Sequence, residues 1–450
     1  MPWRSIGPAN MTGRISDIEG VPFPSRTFYV GSAGGGIWKT TNAGTTFKSL
    51  FHSEKVVSIG DLAIAPSDSM RIYAGTGEES IRNSVSPGGG FYRSDDGGES
   101  WQLMGLEKTE TIGRVVVHPT NPNIVYVAAS GAIWRTNPER GLYKTTDGGR
   151  TWTLSKFISD RAGFVDVAMD PSNPDHLIAT AWERIRGPYF LQSGGPGSGM
   201  WRTRDGGATW TQIRGGGLPE SMLGRMGLSW SRSHPNIIYA MIEADTMPNP
   251  RPAAGAERQT RPSGLYKSTD AGETWTRMQP QNVRPFYYSQ VRVHPTNPEK
   301  VWWSSTPVNY SEDGGRTART STVGLHVDHH AQWIDPANPE FHVVGNDGGI
   351  GISHDGGRNY NFANTFVVSQ FYNISLNMDK PYRVCGGLQD NGTWCGPSRR
   401  QSGFITNSHW YNIGGGDGFG TQQDPTDPDL AYGTSQGGNM YRINTRTSER

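Results

Sequence analysis

TTDGGRTW, Thr145 to Trp152, decides the fold because the chain keeps returning to it. STDAGETW (Ser268 to Trp275) is a second clean copy, and TTNAGTTF from Thr40, SDDGGESW from Ser94 and TRDGGATW from Thr203 are close variants. SEDGGRTA from Ser311 and SHDGGRNY from Ser353 are worn versions, which brings the copies to seven at spacings of 42 to 65 residues. A unit repeated at that interval makes a radial or stacked array of one supersecondary element. The residue types suit a tight turn. An Asp or Asn oxygen accepts nearby backbone N–H groups, Gly supplies a positive φ, and Thr bonds locally. The Trp that follows is expected to pack between adjacent sheets. The motif therefore reads as a folding device, and function is sought elsewhere.

Around each turn the grammar repeats. An apolar run ends in a Pro-rich turn, as in VVVHPTNPN (Val115 to Asn123), and a second run (IVYVA), a loop, and a third run (GLYKT) lead into the Asp turn. A fourth strand begins at the Trp. Four short strands bounded by Pro, Gly and Asn make one propeller blade. The fold class is thus all-β, a β-propeller of four-stranded antiparallel blades. About nine units fit the chain, and the ninth reaches only its third strand, NMYRIN. Two closures are open. Either PWRSIG near the N-terminus supplies a fourth strand to the last blade of one large ring across residues 1–450, or seven blades close first and a split near 365 starts a second ring.

Composition agrees with many short strands: Gly 60, Pro 30, 10% aromatic and only 34% hydrophobic residues. Lys plus Arg is 42 against 41 acids, a net charge of +1, which gives no electrostatic ground for nucleic acid as a partner. No apolar run is long enough for membrane insertion. The start, MPWRSIG, has no signal-peptide pattern. The two cysteines, in CGGLQDNGTWC, face each other across a hairpin. They read either as free thiols or as a Cys385–Cys395 disulfide of an oxidising compartment.

In an up-and-down blade the Pro turns and Asp turns share one face. The connections from strand two to strand three lie on the other, with the links between blades. On that face four loops are elaborated: Gly77 to Gly90, SGAIWRTNPERG, Trp182 to Gly199, and Ala244 to Ser263. Elaborated loops on a rigid scaffold carry binding. They offer Glu78, Glu79, Arg184 and Trp182 as ligand contacts, with Trp134, Tyr189 and Phe190 nearby. Units seven to nine place short polar clusters on the same face: HVDHH with Asp328, His329 and His330, NDGG with Asp347, LQDNG with Gln389 and Asp390, and GGGDGF with Asp417. The four Asp residues are candidate catalytic carboxylates, and the His pair and Gln389 candidate ligand contacts. The same groups, converging on one rim, would alternatively suit a metal site, but the His spacing matches no zinc motif; no metal ligand is assigned and no cofactor is expected. Arg14, Arg114 and Arg225 each follow a Gly at the start of a strand and form a candidate trio for a carboxylate. Asp17, Asp61, Arg114, Asp166 and Gln290 are expected to line the central channel.

The repeated turn resembles the Asp-box, or bacterial neuraminidase repeat, of sialidases, sortilin-type receptor domains and family-74 xyloglucanases. The long stretches WRSIGPANMTGRISDIEG and HVDHHAQWIDPANP resemble large bacterial proteins labelled glycosyl hydrolase or sortilin N-terminal-like. Such proteins are typically exported, which implies an extracytoplasmic location with the signal peptide outside this chain. Aligned with the xyloglucanases, SAGGGIWK puts Ala33 where they carry a catalytic Asp. The expectation is an exported propeller that recognises a glycan or polypeptide through its loop-rich face. The alternatives are a glycoside hydrolase with paired carboxylates and a scaffold for a larger assembly. Nothing in the sequence speaks to oligomeric state.

Overall fold

The computed structural model describes residues 13–81, 84–245 and 262–450, and no described residue is in an α-helix. Among the described residues no helix is long and apolar enough to cross a membrane. PWRSIG, and residues 246–261 of the unit-five loop, lie outside the described residues. The strands form nine antiparallel sheets in chain order: seven of four strands, a fourth sheet of five and a ninth of three. In each four-stranded sheet consecutive strands are neighbours, as an up-and-down blade requires. The protein is a β-propeller.

The Asp turn works as its chemistry dictates. Asp147 Oδ1 accepts the Thr145 hydroxyl (2.8 Å) and the Thr151 N–H (3.0 Å), and Oδ2 accepts the Thr151 hydroxyl (2.7 Å). One further bond ties the turn to its neighbour, from the Gly148 N–H to the Asn123 carbonyl in the Pro turn (2.9 Å). The other six copies make the same bond, from Ala43, Gly97, Gly206, Ala271, Gly314 and Gly356 to the first hairpin of their own sheets. Both turn types therefore lie on one face. Trp152 packs edge-on against Phe91 of the preceding sheet (5.0 Å) and donates its indole N–H to the Met104 carbonyl (2.7 Å). That is the inter-sheet role expected of it.

Apolar clusters join the sheets in sequence. Ile59 and Leu62 meet Tyr29 between the first and second, and Trp302 meets Val344 between the sixth and seventh. The circuit returns to its start: Ile15, Ile18 and Val30 of the first sheet share one cluster with Ala331, Val343 and Ile350 of the seventh. A separate cluster with Cys385, Ile413, Ala431 and Ile443 joins the eighth and ninth. Cys385 and Cys395 are register partners in the eighth sheet and form a disulfide, so the free-thiol reading falls.

The innermost strands carry a second set of links. Asp17 accepts the Leu62 N–H (2.9 Å), Asp61 the Val115 N–H (2.7 Å), and Asp166 the Leu228 N–H (2.8 Å). Each carboxylate thus reaches from one sheet to a neighbour around the axis, and a buried backbone donor that would otherwise lack a partner is satisfied. At the seam between first and seventh sheets, Gly20 leaves no room for a side chain, since an added Cβ would stand 2.3 Å from the Trp333 ring. Gly20→Ala is expected to lower stability in chemical denaturation by about 1–3 kcal/mol through overpacking. Gly34→Ala, where a Cβ meets nothing within 4 Å, should leave the denaturation midpoint unchanged.

Candidate functional site

The candidate residues of the loop face converge on one guanidinium. Arg14, at the start of the first sheet, donates Nε to Asp347 Oδ1 (2.8 Å) and Nη2 to Asp347 Oδ2 (3.5 Å). Its Nη1 bonds Glu78 from the second sheet, and its Nη2 also reaches Asp390 Oδ2 of the eighth (3.3 Å). Arg14, Glu78 and Asp347 side chains are each about 1% exposed. Local sequence sets this up. Gly77 has φ +92, and a Cβ there would lie 1.9 Å from the Glu110 carbonyl, so only glycine lets the chain swing Glu78 and Glu79 inward. Asp328 and Asp390 adopt left-handed φ values of +66 and +59, a conformation that short polar residues tolerate best.

Asp347 is saturated. Besides Arg14, it accepts the Tyr287 hydroxyl on Oδ2 (2.6 Å) and a bond from His330 Nε2 on Oδ1 (2.9 Å). Burial pushes its pKa up, but Arg14 and His330 outweigh burial and hold the carboxyl well below its usual range. It is a fixed anion, unsuited to donating a proton. With Asp347 as acceptor, His330 carries its proton on Nε2, and its buried Nδ1 has no partner. Burial lowers the pKa of His330, and that of His329 to about 4, so both rings are neutral near pH 7.

The other carboxylates are similarly held. Asp328 accepts the Tyr288 hydroxyl on Oδ1 and the Arg284 Nη1 on Oδ2 (3.1 Å). Asp417 accepts the Asp390 backbone N–H (2.8 Å) and the Gln436 amide (2.7 Å), which braces the turn that carries Asp390. Gln389 Oε1 accepts the Ser84 hydroxyl (2.9 Å), linking the eighth sheet to the second. Asp390, whose side chain is 15% exposed, is the most accessible of the four Asp candidates.

Several expectations are corrected. Arg14, Arg114 and Arg225 do not meet. Arg14 has the partners above, Arg114 bonds Asp61 and Asp166 (2.8 Å each), and Arg225 bonds Glu79, so each is already neutralised by the protein's own acids. Trp182 is fully buried in the strand Leu177–Arg186, with the guanidinium groups of Arg184 (5.0 Å) and Arg225 (5.5 Å) against its ring, and offers no face to a ligand. Arg184 is also buried, bonding the Glu79 carbonyl (3.0 Å) and the Ser130 hydroxyl (2.9 Å). Burial lowers its pKa to about 9. The elaborated loop is instead a hairpin in which Leu191–Ser193 pairs with the end of the Trp182 strand. Its tip exposes Tyr189 (99%) and Phe190 (56%), and Trp134 (47%) stands alongside with Arg186 over its ring (6.0 Å).

Sequence reasoning missed Tyr287 and Tyr288. They precede a first strand, as Arg14 does in the first unit, and that shared position was the available signal. It also missed the β-bulges in the first strands, where pairing skips a residue between Ile15 and Asp17, Ile59 and Asp61, Phe164 and Asp166, and His329 and Ala331. A bulge re-aims side chains, and His330 occupies one.

Comparison with known proteins places this geometry among propellers. The family model described as Sortilin, neurotensin receptor 3 (Sortilin-Vps10) matches residues 89–223. A xyloglucanase of Acetivibrio thermocellus is 24% identical over 217 residues, 44% of this chain and 24% of that protein. A xyloglucanase of Hypocrea jecorina is 22% identical over 375 residues, 66% of this chain and 41% of that protein. The crystal structure of the GH74 enzyme of Niastella koreensis matches with a TM-score of 0.66 at 18% identity, covering 98% of this chain and 66% of that one. The chain is a distant homologue of these xyloglucanases and shares their propeller fold, but its match to the first spans only about a quarter of that relative's length.

Asp347→Asn leaves Arg14 short of its principal counter-charge and is expected to cost about 3–5 kcal/mol. Because the folded-state pKa of Asp347 is depressed, its contribution is complete above about pH 4 and lost as pH falls below that. The stability gap between wild type and variant, measured by denaturation across pH, should accordingly narrow on the acid side. His329 has the opposite charge type. Its folded pKa of about 4 lies below the unfolded value, so its neutral form stabilises the fold above about pH 6.5 and that advantage is lost from there down to about pH 4. His329→Gln should flatten the stability profile across this window.

Proposed function

We propose that this chain is an exported carbohydrate-recognition propeller that holds a polysaccharide on its loop-bearing face without cleaving it. The supporting observation is the exposed ledge of Trp134, Tyr189 and Phe190, with Arg186 beside Trp134. Flat aromatic rings beside hydrogen-bonding charged groups suit the apolar faces and hydroxyl rims of sugar rings. The carboxylates argue for binding over cleavage. Asp347, Asp328 and Asp417 each have both oxygens engaged within the protein. Ala33, which stands where the resembling xyloglucanases have an acid, is fully buried and has no proton to exchange. The relatives named xyloglucanase make a xyloglucan-type β-glucan the first ligand to test. A disulfide fits an oxidising compartment. We further read the first seven sheets as one ring and the eighth and ninth as the start of a second, divided near 365. The apolar circuit from first to seventh sheet supports that division.

A second reading, glycoside hydrolysis, is favoured by Asp390, a partly exposed carboxylate at the edge of the cluster. Affinity electrophoresis in xyloglucan separates the two. The binding reading expects retardation of the wild type, a weakening of about tenfold or more in Trp134→Ala and Tyr189→Ala, and no new reducing ends. Absence of retardation refutes it. Release of reducing ends that Asp390→Asn abolishes would replace it with the hydrolase.

A further inference from the structure

At the other end of the axis, on the Asp-turn face, the first strands enclose a cavity of about 280 Å³. Its wall carries N–H donors with nothing to bond. Arg292 donates Nε to the Gln332 carbonyl (3.2 Å), Nη1 to the Val291 carbonyl (2.9 Å) and Nη2 to Gln290 Oε1 (3.3 Å). That uses three of the five N–H groups of a guanidinium, all on neutral oxygens. No carboxylate lies within ion-pair distance of it among the described residues. Arg114 uses Nε and Nη1 on Asp166 and Asp61, which leaves Nη2 without a protein acceptor. Gln332 is 7% exposed, lines the same cavity, and its Nε2 is buried with no partner at all. A buried donor without an acceptor, as Gln332 Nε2 is, costs about 1–3 kcal/mol, and beside it the spare N–H groups of Arg292 and Arg114 mark a place where an acceptor belongs.

We propose that this axial cavity binds a small oxyanion, the carboxylate of a short dicarboxylic acid or inorganic phosphate, through Arg292, Arg114 Nη2 and Gln332 Nε2. The neighbouring acids do not forbid it. Asp17, Asp61 and Asp166 each give an oxygen to a backbone N–H of another sheet, and the latter two also bond Arg114. Glu19, the remaining acid on the wall, is pushed up to about 7 by burial and by Asp17, against the pull of Arg232, Arg292 and Arg114. Protonated, it removes one negative charge and adds a donor. Oxyanion binding therefore strengthens as pH falls through about 7. The site is separate from the loop face and does not depend on the carbohydrate reading.

Isothermal titration of the full chain with succinate, and separately with phosphate, tests this at about pH 6 and about pH 8. Saturable binding of one or both anions is expected, that of succinate tighter at the lower pH, and both weakened about tenfold by Arg292→Gln and by Gln332→Leu. The ledge variant Tyr189→Ala should bind as the wild type does. Gln332→Leu removes no charge, and a thermal melt of each variant verifies that it is folded. The proposal is overturned if neither anion binds up to about 10 mM, or if binding survives both substitutions. A succinate titration identical at both pH values overturns the part given to Glu19.

Discussion

Arg14 is only about 1% exposed and still charged, a state that isolated burial would forbid and that only close counter-charges permit. Those charges come from three other sheets: Glu78 from the second, Asp347 from the seventh and Asp390 from the eighth. The ion cluster therefore stands where the first and seventh sheets meet, above the apolar cluster of Ile15, Val30 and Val343 that closes the circuit. Apolar contact supplies the driving force there but little direction. The guanidinium supplies direction, because its fork accepts carboxylates only in fixed orientations. Tyr287 and His330 fill the remaining positions around Asp347, which brings the sixth sheet into the same unit.

Along the axis the same device is used twice with different results. On the loop face, acids and arginines from different sheets pair with one another, and Arg14 with His330 holds Asp347 well below the usual carboxylate range. On the Asp-turn face, Asp17, Asp61 and Asp166 bond backbone N–H groups of other sheets, and the arginines are left in excess donors. One end is closed by its own charges. The other keeps unmatched donors around a cavity.

What could be read from the sequence divides by range. The Asp turn was legible because the bonds of its carboxylate fall within seven residues, from Thr145 to Thr151. Counting turns gave the sheets, and comparing loop lengths within the chain picked out the face where Asp328, Asp347, Asp390 and Asp417 lie. Tyr287 was not legible: its partner Asp347 is 60 residues away, and nothing in RPFYYSQ distinguishes a network tyrosine from a core one. Trp182 was misplaced for a related reason. Its position after a strand suggested a loop, but the strand runs on to Arg186 and the indole is sealed beneath the hairpin that the loop becomes. The exposed aromatics lie seven and eight residues further on, at the hairpin's tip.

Shared fold and shared chemistry part company at the same residues. A TM-score of 0.66 at 18% identity means that the blades superpose while most side chains differ. The blades are preserved by local turns that need only Asp, Gly and Thr at fixed offsets, and such turns survive any change at the loop face. A glycosidase needs more: one carboxyl group protonated and another ionised, with access to the bond between sugars. Here the most central carboxylate is held ionised by four donors from three residues, and its nearest base, His330, is held neutral by burial. In the carbohydrate-binding reading proposed above, the loop face serves as a rigid platform on which the aromatic hairpin is displayed.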